Sequence, residues 1–163
     1  MSSVCSSCGK VHAEISRYFM WRLPKLGFPA AVKLVTDSEY TCRVGNKRHF
    51  ISCELELPFK DSSETPLGFI GWVEVSRADY EAYQRYRSEE ETLPPMESWI
   101  EGRLANPVPG VDNSLGTSVR FEVVCGDPTP YITWVQPGTA LAARVLEGAT
   151  EAFWHEAAGL GGS

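Results

Sequence analysis

The order of hydrophobic patterns in this 163-residue chain predicts an α+β fold, a twisted antiparallel sheet with helices packed on one face. Strand-like alternation comes first, gives way to a helix, returns, and then yields to helical segments, whereas a βαβ fold would interleave the two. Composition agrees, because 43% hydrophobic and 22% charged residues are the ordinary globular mix. A chain of this length buries about 70% of its unfolded surface, enough for a core without covalent staples. A third observation, Cys5-Ser-Ser-Cys8-Gly9, adds a knuckle-like N-terminal arm. The expected divisions are 1–30 for knuckle and arm, 31–158 for the α+β domain and 159–163 for a flexible tail.

Residues 13–28 mix aromatics with Pro24 and Gly27 and keep no period, so an irregular arm or short helix is expected. Val32 to Val35 opens a strand pattern that Tyr40 to Val44 continues. Gly45-Asn46 reads as a two-residue hairpin turn, since both residues tolerate positive φ. The chain then alternates from Arg48 to Leu57. Residues 60–66 are polar and loop-like. Leu67 to Val75 is a further strand, with Phe69, Gly71, Val73 and Val75 on one face and Ile70, Trp72 and Glu74 on the other.

Ser76, three residues before Asp79, marks a helix start, and the helix from Arg77 to about Arg87 carries Tyr80, Tyr83 and Tyr86 at i, i+3 spacing. Pro94-Pro95 lies beyond its end. Ser98 to Leu104 reads as a short helix with Trp99 and Leu104 inward. Two prolines and two glycines make 106–116 a loop. Ser118 to Cys125 and Tyr131 to Val135 alternate as a second hairpin. Ala140 to Ala158 reads as two helical pieces broken at Gly148, the second capped by Thr150.

Charge and cysteine usage narrow the function. Fifteen basic against 21 acidic residues give a net charge of −6, which disfavours a phosphate-binding surface, because nucleic-acid affinity rests on Lys and Arg. No secretory signal pattern and no apolar run of about 20 residues is visible, so neither export nor a membrane span is expected. Five cysteines, two of them in a CxxC, fit a reducing cytoplasm and a metal site better than cross-links.

The metal expectation follows from spacing. Gly9 lets the backbone turn so that the Cys5 and Cys8 sulfurs aim at one atom, and His12 is near enough to be a third ligand. A closed structural zinc site needs four. With Gly45 and Asn46 as the turn, Val44 would pair with Lys47 and Cys42 would stand opposite His49, about 5 Å away. Cys5, Cys8, Cys42 and either His12 or His49 would then complete a tetrahedron. Free thiols are the plainer alternative, and a redox CxxC would need a βαβ setting. Cys53 and Cys125 suit packing.

Other signals have plain readings beside functional ones. The tyrosine stripe at helical spacing is core or interface packing before it is a base-stacking platform. Glu89, Glu90 and Glu91 form a solvated acidic run that would also suit an arginine-rich partner. His155 reads as a surface or C-terminal helix histidine. The chain has no G-x-S-x-G elbow, P-loop, dinucleotide fingerprint or HExxH.

Cys5-x-x-Cys8-Gly9-x-x-His12, then Cys42, His49-Phe50-Ile51, Leu55-Glu56-Leu57-Pro58 and Gly71-Trp72-Val73-Glu74-Val75-Ser76 resemble the bacterial domain-of-unknown-function family 2199. The late Ala140-Leu141-Ala142 and Glu147-Gly148-Ala149-Thr150 are similar to that family's ending. The chain departs from the pattern at Cys53, where glycine is usual, and at Thr139, where a histidine often precedes the late helix. The resemblance implies a fold and a metal site and assigns no activity.

These readings lead to an expected function. A non-catalytic, acidic binding protein with a structural zinc would act through a protein partner, basic in character; one specific form is a toxin-neutralising immunity protein. Glu89, Glu90, Glu91, Tyr83 and Tyr86 are its expected contacts. The alternative is a metal-dependent enzyme with His12 or His49 as a ligand and a carboxylate base.

Overall fold

The computed structural model describes residues 17–26, 34–60, 66–88, 99–123 and 129–159. They form β1 (Tyr18–Met20), β2 (Leu34–Ser38), β3 (Thr41–Val44), β4 (Arg48–Leu57), β5 (Leu67–Val75), α1 (Arg77–Ser88), β6 (Ile100–Leu104), β7 (Ser118–Glu122), β8 (Tyr131–Val135), α2 (Ala140–Glu147) and α3 (Glu151–Ala157). The mixed class holds. The antiparallel sheet is there in part, with two parallel pairings added: β4, β5, β6, β7 and β8 pair in succession and β8 returns to β4, closing a five-stranded barrel within an eight-stranded sheet.

Two long strands make this possible. Antiparallel β4 and β5 run in register from His49↔Val75 to Leu57↔Leu67. The other edge of β4 is shared, first by β3 at 48–51 and then by β8, where Glu54 N–H donates to the Pro130 carbonyl at 2.9 Å. The other edge of β5 is divided likewise between β1 and β6. The β1–β5 and β4–β8 pairings are parallel, and each joins segments about fifty or more residues apart, beyond the reach of local pattern.

Alternation assigns the faces. Odd residues of β4 and β5 (Ile51, Cys53, Leu55, Leu57, Leu67, Phe69, Val73) point into the barrel and meet Ile100, Leu104, Val119 and Phe121. All three helices feed that core, through Tyr80 and Tyr83, Leu141, and Phe153 and Trp154. Even residues face outward; there Cys42, Val44, Phe50, Trp72 and Ala105 make a second cluster with Leu26 and Leu34 against it.

The caps sit where the residues demand them. Asp79 N–H donates to Ser76 Oγ at 3.1 Å, and Phe153 N–H donates to Thr150 Oγ1 at 3.1 Å. Gly148, at φ 73°, separates α2 from α3. Thr139 caps α2 by accepting from Ala142 N–H.

Several elements differ from expectation. Residues 100–104 form strand β6, not a helix, because Ile100 and Leu104 face inward while Glu101 and Arg103 face out, a period of two. Trp99 is 55% exposed rather than inward. Within the Val32–Val44 pattern, the described part from Leu34 to Val44 is a hairpin, β2 and β3 joined through Glu39-Tyr40, not one strand. The arm is partly regular, since β1 extends the sheet. His155 is buried, 2% exposed, beside Trp154.

Candidate functional site

The turn between β3 and β4 decides the fate of the expected metal set. It takes three residues, Gly45 to Lys47, and Lys47 N–H donates to the Val44 carbonyl at 3.2 Å. Val44 therefore pairs with Arg48, Cys42 with Phe50, and His49 with Arg43. A register displaced by one residue moves a side chain to the other face. The expected pairing of Cys42 with His49 is thus corrected: the two point to opposite sides of the sheet.

Each is then placed by its own neighbours. Cys42 is fully buried in the outer cluster, and burial, with Asp37 adding, pushes its thiol up to about 12. His49 lies against the Tyr80 ring at 5.0 Å. Burial first, and then the Arg77 charge, holds it below its ordinary value near 6.5, so it is a neutral imidazole at neutral pH. Tyr80 donates to Asp37 Oδ2 and accepts from Gln84 Nε2 at 3.2 Å, while Arg43 Nε meets Asp37 at 3.1 Å. Burial and Asp37 push the Tyr80 phenol up to about 12, so it too stays protonated. The cluster docks α1 on β2 and β3 through the hydrogen bonds of Tyr80 to Asp37 and of Gln84 to Thr41, and on β4 through the Tyr80–His49 ring contact, while the Arg43–Asp37 ion pair ties β3 to β2. Cys5, Cys8, His12, Glu89, Glu90, Glu91 and Cys125 lie outside the described residues. Among the described residues no three His, Cys, Asp or Glu side chains form a metal-binding group.

Two expected partner contacts are also relocated. Tyr83 is fully buried, with Arg87 over its ring at 5.7 Å, and Tyr86 is half-buried against the core. The Tyr80–Tyr83–Tyr86 stripe is packing, as its helical spacing suggests. Tyr83 cannot offer a surface to a partner.

A different surface brings charge and aromatics together. Residues 17–26 run along the edge of β5 as β1 and then reach its outer side: Trp21 N–H donates to the Ile70 carbonyl at 2.9 Å, Trp72 Nε1 donates to the Trp21 carbonyl at 3.1 Å, and Asn106 Nδ2 donates to the Leu23 carbonyl at 3.0 Å. Anchored in this way, the arm still leaves Tyr18, Met20, Trp21 and Leu23 exposed by 47%, 71%, 38% and 48%, four large apolar side chains within six residues.

Register places acidic residues beside that strip. On the outer face Glu122 stands opposite Tyr131, Tyr131 opposite Glu54, Glu54 opposite Ile70, and Ile70 opposite Met20. One pleat along, Glu56 faces Gly68 and Gly68 faces Tyr18. The Tyr18 ring lies directly on Gly68. A Cβ there would stand 2.5 Å from Tyr18 Cε1 and 3.2 Å from Glu54 Oε1, so glycine lets the ring and the buried carboxylate share that spot. Tyr131 is 43% exposed, and Glu56 and Glu122 are exposed. Sequence reasoning passed over these residues, although the alternation of Glu54 and Glu56 with Cys53, Leu55 and Leu57 signals an outward acidic row.

Residues 4–149 match the family model described as an uncharacterized protein conserved in bacteria, DUF2199. The chain belongs to DUF2199. The match runs from just before Cys5 to Ala149, so the Cys5-to-His12 sequence, the barrel strands and α2 all fall within the DUF2199 region. No curated protein and no solved structure matches the chain. The cavity lined by Trp21, Cys53, Leu55, Phe69, Gly71 and Leu104 in this DUF2199 chain holds about 20 Å³, room for a water-sized occupant only. No helix of the described residues is long and apolar enough to cross a membrane.

Proposed function

We propose that this protein is a non-catalytic binding module that acts through a protein partner, a toxin in the specific form of an immunity protein. The observation that carries the reading is the strip Tyr18, Met20, Trp21 and Leu23, exposed on and beside edge strand β1. Natural edges are blunted by charge or covered, and an apolar edge offers both unpaired backbone groups and contact area to another chain. A photo-reactive residue at position 20 tests this in cells, with one at position 146 as control, since Leu146 is 89% exposed on a different element, α2. A discrete adduct from position 20 and none from position 146 is expected. Equal labelling from both, or none, contradicts the reading.

A structural zinc belongs to the same proposal. The Cys5-x-x-Cys8-Gly9-x-x-His12 spacing supports it, as does the position of Cys42 on the face crossed by residues 21–26, where Leu26 packs against its cluster. His49 leaves the donor set because it faces the other way. Cys5, Cys8, His12 and Cys42 remain, and a metal would hold the Cys42 sulfur as thiolate against the burial that otherwise keeps it protonated. Elemental analysis of the purified chain should find a single zinc per molecule, lost in Cys5→Ser. A metal-free but fully folded wild-type protein removes zinc from the account.

A further inference from the structure

We infer that the seam between α1 and the β2–β3 hairpin is an acid-sensitive latch, and that the His49 imidazole is the group that receives the proton. His49 is 5% exposed, and among the described residues neither of its ring nitrogens has a hydrogen-bond partner; the ring rests on Tyr80 at 5.0 Å. It stands opposite Arg43 of β3 on one side and Val75 of β5 on the other. The tyrosine it touches is the one whose hydroxyl donates to Asp37 of β2 and accepts from Gln84 Nε2, and Gln84 Nε2 also reaches Thr41 Oγ1 of β3 at 3.2 Å. The uncharged imidazole therefore lies against the contact that fastens the first half of α1 to the hairpin.

Each element around the ring sets what a proton there would meet. Strand β3 supplies Arg43, β2 supplies Asp37, α1 supplies Arg77, Glu81 and the protonated Tyr80, and β5 supplies the apolar Val75. Both carboxylates are committed, Asp37 to the Tyr80 hydroxyl and to Arg43 Nε at 3.1 Å, Glu81 to Arg77 Nε at 2.9 Å. An imidazolium would add a third cation to Arg43 and Arg77 in a covered position and compete for acceptors already in use. Admitting water, or drawing Asp37 away from Tyr80, relieves it, and either change loosens the start of α1. The far half of the helix stays anchored through fully buried Tyr83 and through Arg87, 4.7 Å above the Tyr40 ring. Burial and then Arg77 hold the His49 of the closed seam below its ordinary value near 6.5. The opened seam therefore binds the proton more readily, and opening gains as pH falls below about 6.5.

Amide hydrogen exchange of the full chain at about pH 7.5 and about pH 5.5, each rate divided by its intrinsic value at that pH, tests the latch. The opening constant for residues 80–84 and 41–43 is expected to rise several-fold on acidification, up to the ~10-fold ceiling that one imidazole with an open-state pKa near 6.5 allows. Amides of β5, β6 and β7 are expected to change by less than about twofold. His49→Phe keeps a ring against Tyr80 and takes up no proton, so its opening constant should be the same at both pH values; His49→Gln serves if the phenylalanine is not accommodated. Titration of the His49 ring in the wild-type chain by NMR stands apart from either variant and should show a midpoint below 6.5. A midpoint at or above 6.5, an acid-induced opening that survives in the His49 variants, or one confined to α3, where His155 is buried, overturns the inference.

Discussion

Alanine at Gly102 is expected to lower the melting temperature by roughly 6–12 °C, a loss of about 3 kcal/mol at about 2–4 °C per kcal/mol for a domain of this size. Gly102 lies in the middle of β6, paired with Val119. A methyl there would meet the backbone carbonyl of Glu74, and would stand 2.6 Å from Val73 Cγ1 and 3.0 Å from Val75 Cγ1. A carbonyl held in a barrel strand cannot rotate away as a flexible side chain can, so β5 and β6 must separate. That seam is short, with Val73↔Leu104 and Glu74↔Arg103 as its paired residues, and barrel closure passes through it. Thermal denaturation followed by circular dichroism reads the effect. A shift below about 1 °C would mean that the seam has slack that this geometry denies.

Removing the Tyr83 ring carries a comparable penalty. Tyr83 is fully buried in the interior cluster, and burial pushes its phenol up to about 12. Tyr83→Ala is expected to cost about 3–5 kcal/mol, the range for deleting a buried aromatic. Tyr83→Phe, which keeps the ring and drops only the hydroxyl beside Arg87, should cost about 1 kcal/mol. Chemical denaturation of the pair separates ring from hydroxyl. A Tyr83→Ala protein as stable as the wild type would contradict the packing role that its full burial assigns.

Legibility in the sequence followed the range of the interactions. Capping is local, so Ser76 and Thr150 announced their helices, and Gly148 announced the break between α2 and α3. The faces of β5 were also readable, because alternation needs only neighbouring residues. Barrel closure and the pairing of β1 were not, since the Glu54–Pro130 bond that closes the barrel and the Tyr18↔Gly68 pairing that adds β1 at its edge each join distant segments in parallel. The β3–β4 turn shows how little separates a right element from a wrong site. Both ends of that hairpin were visible, yet a third loop residue, Lys47, sent Cys42 and His49 to opposite faces. The acidic row hid for another reason. Glu54, Tyr131 and Glu122 lie on three strands, and only register makes them neighbours.

Amide hydrogen exchange on the adduct formed from position 20, compared with the unbound chain, tests the binding account most directly. Slowed exchange in residues 18–23, with further protection around 54–56 and 131, is the expected result. Protection confined to other elements, with residues 18–23 exchanging as in the unbound chain, would contradict it.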